Sequence, residues 1–89
     1  MRGRDPGIVA RISGKLDDDG ALSRVGLAVR ERRKEKGLSQ EGLADQAGIE
    51  RSHMGKIERG ERNVTLLNLA RIGRALNCPV WELLRQADL

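Results

Sequence analysis

Residues 39–60 read SQEGLADQAGIERSHMGKIERG, and the punctuation of this stretch predicts two short helices meeting at a tight turn. Ser39 suits an N-cap, because its hydroxyl can accept a bond from an orphan amide of the first turn. The helix it opens spans 40–47. Gly48 interrupts the pattern; glycine reaches positive φ without steric cost, so the chain can reverse there. A second helix follows over about 51–59 and stops at Gly60. Leu43, Ala47, Ile49, Met54 and Ile57 point inward, and small Ala44 suits a close approach of the two helices. What remains on the second helix is polar: Arg51, Ser52, His53, Lys56 and Arg59. A short helix with one buried stripe and a basic, hydrogen-bonding outer face has the size and charge to enter a DNA major groove.

Upstream, residues 22–36 read as a helix with Ser23 as candidate N-cap. Val25 and Val29, four apart, face a core. Arg30, Arg32, Lys34 and Lys36 fall mainly outward, either as a solvated face or as phosphate contacts. Arg33 lies on the inward stripe, where a charge requires a partner. Downstream, residues 61–64 form a loop and Thr65 caps a helix over 66–77, with Leu66, Leu69, Ile72, Gly73 and Leu76 at helical spacing on the core side. Pro79 is acceptable in the first turn of a last helix over 79–86. There Val80, Leu83 and Leu84 close the core, with Trp81 one step round from them. Five helices without a convincing strand make residues 22–89 an all-α domain.

Residues 1–21 read as an N-terminal extension. Asp5-Pro6-Gly7 is a turn signal, residues 8–12 form a possible short strand with no partner, and Asp17-Asp18-Asp19-Gly20 reads as a solvated acidic turn. The extension is open to three readings: a flexible tail, a basic arm through Arg2, Arg4 and Arg11, or a segment that packs on a partner.

The chain has 89 residues, near the size where a single core is marginal. Trp81 is its one aromatic residue, so the core has to be aliphatic. The net charge is +4. Arg2, Arg4, Arg11 and Lys15 balance Asp5, Asp17, Asp18 and Asp19, so the whole excess lies within residues 21–89 and favours an anionic partner. The single cysteine, Cys78, excludes an internal disulfide and a cysteine-based zinc site; it reads as a small buried filler and fits a reducing, cytoplasmic setting. No apolar run is long enough for a membrane span or a signal-peptide core. One histidine, no Walker-type glycine loop and no paired carboxylates in an apolar setting argue for recognition rather than catalysis. No cofactor and no metal are implied.

The motif run carries a resemblance. Gly37-Leu38-Ser39-Gln40-Glu41, Leu43-Ala44, Ala47-Gly48-Ile49 and Lys56-Ile57-Glu58-Arg59-Gly60 resemble the lambda-repressor and Cro-like helix-turn-helix family, often called the Xre family. Arg62-Asn63, Leu66, Leu69, Ile72, Ala75-Leu76 and Glu82-Leu83-Leu84 continue the pattern, so the likeness covers roughly residues 25–84. It implies a compact five-helix lambda-repressor-like domain. It also implies an Arg33–Glu58 pair joining the first helix to the recognition helix, and a phosphate contact from Gln40 at the start of the second helix. Many members carry proline where Val64 stands.

On this reading Arg51, Ser52 and Lys56 touch base edges, while Gln40, His53, Arg62 and Asn63 hold phosphates. Arg51 can donate two bonds to O6 and N7 of a guanine. Glu50 stands where Ser or Thr is commoner and either faces phosphates, accepts from cytosine N4 or pairs with Arg51. Gly55, in mid-helix, costs roughly 1 kcal/mol relative to alanine and could allow close approach to the duplex. The expected protein is a sequence-specific double-stranded DNA-binding transcriptional regulator, acting as a homodimer on a palindromic operator. Its size resembles phage repressors and restriction–modification controller proteins. Trp81, with Leu27 and Leu89, is the candidate dimer interface. An RNA polymerase contact is possible for such a protein. The alternatives are an antitoxin that binds a toxin, or a protein-interaction module of the same fold.

Overall fold

The computed structural model describes residues 16–89, and within them five helices follow in order: α1 Ala21–Glu35, α2 Gln40–Ala47, α3 Arg51–Glu58, α4 Leu66–Ala75 and α5 Val80–Gln86. The readings placed on the 8–12 strand and on Arg2, Arg4 and Arg11 lie outside the described residues.

The start of α1 corrects one expectation. Ser23 does not cap it. The Asp17 carboxylate does, accepting from the Ala21 and Leu22 amides at 2.8 Å each. The acidic turn is therefore partly spent inside the fold, and its negative charge lies at the positive end of a helix dipole. Gly20 supplies the left-handed bend between Asp17 and the helix (φ 68°).

The central elements form as their local chemistry requires. Ser39 Oγ accepts from the Gly42 amide at 2.9 Å, and Thr65 Oγ1 accepts from the Asn68 amide at 3.1 Å. At Gly48 (φ 69°) the Ile49 amide bonds back to the Ala44 carbonyl at 2.9 Å, closing the helix end that the reversal needs. The same closure recurs at Gly60 and, with non-glycine residues in the left-handed region, at Asn77 and Asp88.

The core is aliphatic. Val29, Leu43, Met54, Ile57, Ile72, Leu76 and Leu83 are the large side chains fully enclosed in it. Val80 and Leu84 pack against it from α5. Around it α1 lies on α3 and α5, and α2 lies on α3 and α4. Cys78 is buried, and that burial pushes its thiol above the usual range. Leu66 departs from expectation: it is 75% exposed. The core-side place expected for it is not taken: it is the first residue of α4, and Thr65, Leu66 and Leu67 all face solvent there.

Two contacts fix α3 against α1. At Gly26 the helix backbones meet: a β-carbon there would collide with the Ile57 and Glu58 carbonyl oxygens and lie 2.8 Å from the Glu58 carbonyl carbon. About two turns along α1, Arg33 and Glu58 form the pair that the resemblance implied. Arg33 Nε donates to Glu58 Oε2 at 2.7 Å and Nη2 to Oε1 at 3.1 Å.

Two stability measurements check this packing. Gly26→Ala should destabilise the fold by about 2–3 kcal/mol, because backbone cannot repack; a rise in melting temperature, as expected for alanine in an uncrowded helix, would deny the close contact. Glu58→Ala should cost roughly 3 kcal/mol by leaving Arg33 without its buried partner. An unchanged melting temperature combined with lost DNA binding would reassign Glu58 from structure to recognition.

Candidate nucleic-acid interface

The geometry of α3 divides it into two sides. Met54, Gly55, Ile57 and Glu58 are buried, while Arg51, Ser52 and the C-cap residue Arg59 are exposed and Lys56 is half-buried. The three residues expected at base edges, Arg51, Ser52 and Lys56, thus belong to the side of α3 that the core leaves open.

The structure shows one bond among them that bears on their chemistry. Ser52 Oγ donates to Glu50 Oε1 at 2.7 Å. Of the three roles left open for Glu50, pairing with Arg51 is not taken; its carboxylate accepts from the Ser52 hydroxyl instead.

The residues expected at phosphates are distributed differently. Arg62 and Asn63 are exposed on the loop between α3 and α4. Gln40 is half-buried, and its side-chain amide donates to Glu58 Oε1 at 3.0 Å. That bond draws Gln40 into the Arg33–Glu58 pair. His53 is half-buried, with Nε2 3.4 Å from the Asn68 side-chain nitrogen. It therefore bridges α3 to the first turn of α4 and does not stand wholly on the outer face.

Gly55 has a local explanation. A β-carbon there would lie 3.1 Å from Gln40 Oε1 and 3.1 Å from Arg59 Nη1. The missing side chain spares the ends of Gln40, whose amide reaches Glu58, and Arg59 a shift of a few tenths of an ångström.

Sequence reasoning missed the Arg59–Glu61 pair, whose Nε–Oε2 and Nη2–Oε1 distances are 3.0 and 3.2 Å. The hydrogen bond and charge of each partner raise the Arg59 pKa and hold the Glu61 carboxyl below the usual carboxylate range. Their i, i+2 spacing across Gly60 was the available signal. The pair offsets part of the positive charge at the end of α3.

Trp81 lies on the surface of α5 and is 60% exposed. It borders a shallow depression with Arg32, Glu82, Arg85 and Gln86. Leu27 and Leu89 are also exposed. Beside Trp81, α1 and α5 are joined by polar bonds: Arg32 Nε to Gln86 Oε1 at 2.9 Å, Arg32 Nη2 to Glu82 Oε2 at 3.2 Å, and Gln86 Nε2 to Glu31 Oε1 at 2.8 Å. Among the described residues no set of three or more His, Cys, Asp or Glu side chains is placed to hold a metal, and no helix is long and apolar enough to cross a membrane.

Comparison with known proteins agrees with this geometry. The helix-turn-helix family profile matches residues 29–83. Control protein C.SmaI of Serratia marcescens is 46% identical over 61 residues, covering 68% of this chain and 73% of that protein. The crystal structure of the restriction–modification controller protein C.AhdI from Aeromonas hydrophila is similar with a TM-score of 0.69 and 47% identity, over 70% of this chain and 94% of that one. The biofilm master regulator SinR, solved in complex with DNA, is similar with a TM-score of 0.65 and 34% identity, over 67% of this chain and 97% of that one. The lambda-repressor-like fold and the resemblance read from residues 37–60 are thus borne out, and the chain belongs to the Xre-like helix-turn-helix family.

Proposed function

We propose that this protein is a sequence-specific double-stranded DNA-binding transcriptional regulator of the controller type, acting in the cytoplasm as a homodimer on a palindromic operator. The observation that carries the proposal is the division of α3: Met54 and Ile57 anchor it from behind while Arg51, Ser52 and Lys56 remain on the open side. A helix held in this way can enter a major groove with its N-terminal residues against base edges. Its relatives include control proteins and a regulator solved on DNA.

Within this reading Arg51 donates to guanine O6 and N7, and Lys56 reaches the same atoms with one bond. Arg62, Asn63 and the N-terminus of α2 at Gln40 approach phosphates, which set register without reading sequence. His53 serves there through the ring edge that Asn68 does not engage. One recognition helix spans too few base pairs for useful specificity, so a second copy supplies the other half-site. Trp81, an exposed aromatic beside the α1–α5 contact, is the anchor proposed for that dimer. The residues ahead of the Asp17 cap of α1 form an extension to the DNA-binding domain.

Selection of bound duplexes from a random pool tests the reading. A two-fold consensus with half-sites about 34 Å apart is expected; absence of any enriched sequence overturns it. Arg51→Ala should cost about 1–3 kcal/mol at its own base pair. Arg62→Ala should weaken all sequences alike and lower the salt slope by about 1.

The dimer has its own measurement. Trp81→Ala should weaken association in sedimentation while changing monomer stability by no more than about 0.5 kcal/mol. Equal losses in association and in thermal melts would assign Trp81 to the fold and not to the interface.

A further inference from the structure

We propose that Glu50 determines specificity: its carboxylate, positioned by Ser52, accepts a hydrogen bond from the exocyclic amine of a cytosine in the major groove. The inference rests on the DNA-binding reading above and chooses, among the three roles the sequence left open for Glu50, acceptance from cytosine N4.

Glu50 is the N-cap of α3, with extended backbone (φ −61°, ψ 139°). An N-cap side chain ordinarily accepts from an amide of the first turn. Glu50 does not; its side chain makes no capping bond. It is exposed, and its Oε1 takes the Ser52 hydroxyl at 2.7 Å. The carboxylate is therefore held toward Ser52, a residue on the open side of the helix, rather than folded over the amides.

The donor count gives the consequence. An ionised carboxylate is acceptor-only, with about four lone-pair sites, and a serine hydroxyl has one proton. That proton is committed to Glu50, so Glu50 and Ser52 together present acceptors alone. In the major groove guanine offers the acceptors N7 and O6 and thymine offers O4. Cytosine offers only its N4 amine, and adenine places the acceptor N7 beside its amine. An acceptor-only surface is thus matched by cytosine, compromised at adenine and repelled by guanine and thymine. A carboxylate pressed against DNA without a donor would lose its hydration with nothing in return. Arg51, the adjacent residue, has the opposite character, donors only. Neighbouring residues of opposite character suit a G·C pair or two adjacent ones. Ser52 in this scheme is a positioning residue for Glu50.

The test compares selection from a random duplex pool for the full chain and for Glu50→Ala, Glu50→Gln and Ser52→Ala. The parent should enrich cytosine at one position of each half-site. Glu50→Ala should lose that preference by on the order of tenfold while keeping the guanine set by Arg51. Glu50→Gln, with donor and acceptor in one amide, should move the preference toward adenine. Ser52→Ala should reduce the cytosine preference about threefold, the scale of one exposed hydrogen bond, and add nothing on top of Glu50→Ala. If Glu50→Ala instead tightens binding to every sequence equally, Glu50 merely repels phosphates and the proposal is overturned, with the regulator reading intact. If the parent enriches no sequence at all, the regulator reading itself fails.

Discussion

The side chain of Glu58 is 2% exposed, and a carboxylate in that position must be met by donors or it destabilises the fold. Three reach it. Arg33 supplies Nε and Nη2 from α1, and Gln40 supplies its amide from the first residue of α2. Arg33 Nη1 also donates to the Leu38 carbonyl at 3.0 Å, in the loop between them. One buried charge thus ties α1, the α1–α2 loop and α2 to the back of α3. The outer face of α3 is positioned by this network behind it.

The network works only because the backbones come close. Gly26 lets α1 touch the carbonyls of Ile57 and Glu58, and Gly55 spares the end of Gln40 a small shift. At Gly60 a β-carbon would lie 2.6 Å from Ser23 Oγ, so the end of α3 rests on the first turn of α1. Gly26 and Gly60 let the backbones of α1 and α3 approach closely, and the ion pair ties the two helices together farther along. Helix propensity is sacrificed at Gly26 for that geometry.

Electrostatics on the open side are mixed rather than uniformly basic. Arg51, Lys56 and Arg62 favour an anionic partner, while Glu50 and Glu61 oppose it locally. Glu61 is satisfied by Arg59 and Glu50 by Ser52. A surface of this kind binds DNA less strongly in general than a purely basic one, and gains discrimination between sequences.

Local chemistry was legible in the sequence. The limits of α2 followed from Ser39 and Gly48, the α4 start from Thr65 and the inward stripe from period alone, because capping bonds and periodicity operate within a turn or two of chain. The inward position of Arg33 announced that a partner existed, and the motif resemblance named it as Glu58. Tertiary structure decided what depends on which neighbour lies over a given residue. That Asp17, not Ser23, caps α1 is a local contact permitted by the left-handed bend at Gly20; nothing in sequence spacing told that Gly26 touches the α3 backbone. Nor did it show that Gln40 turns inward to Glu58, that His53 leans on Asn68, or that Leu66 is left exposed. Each of these is a contact between groups brought together by chain reversal, or the lack of one, and a linear pattern records which side faces inward without recording what is there to meet it.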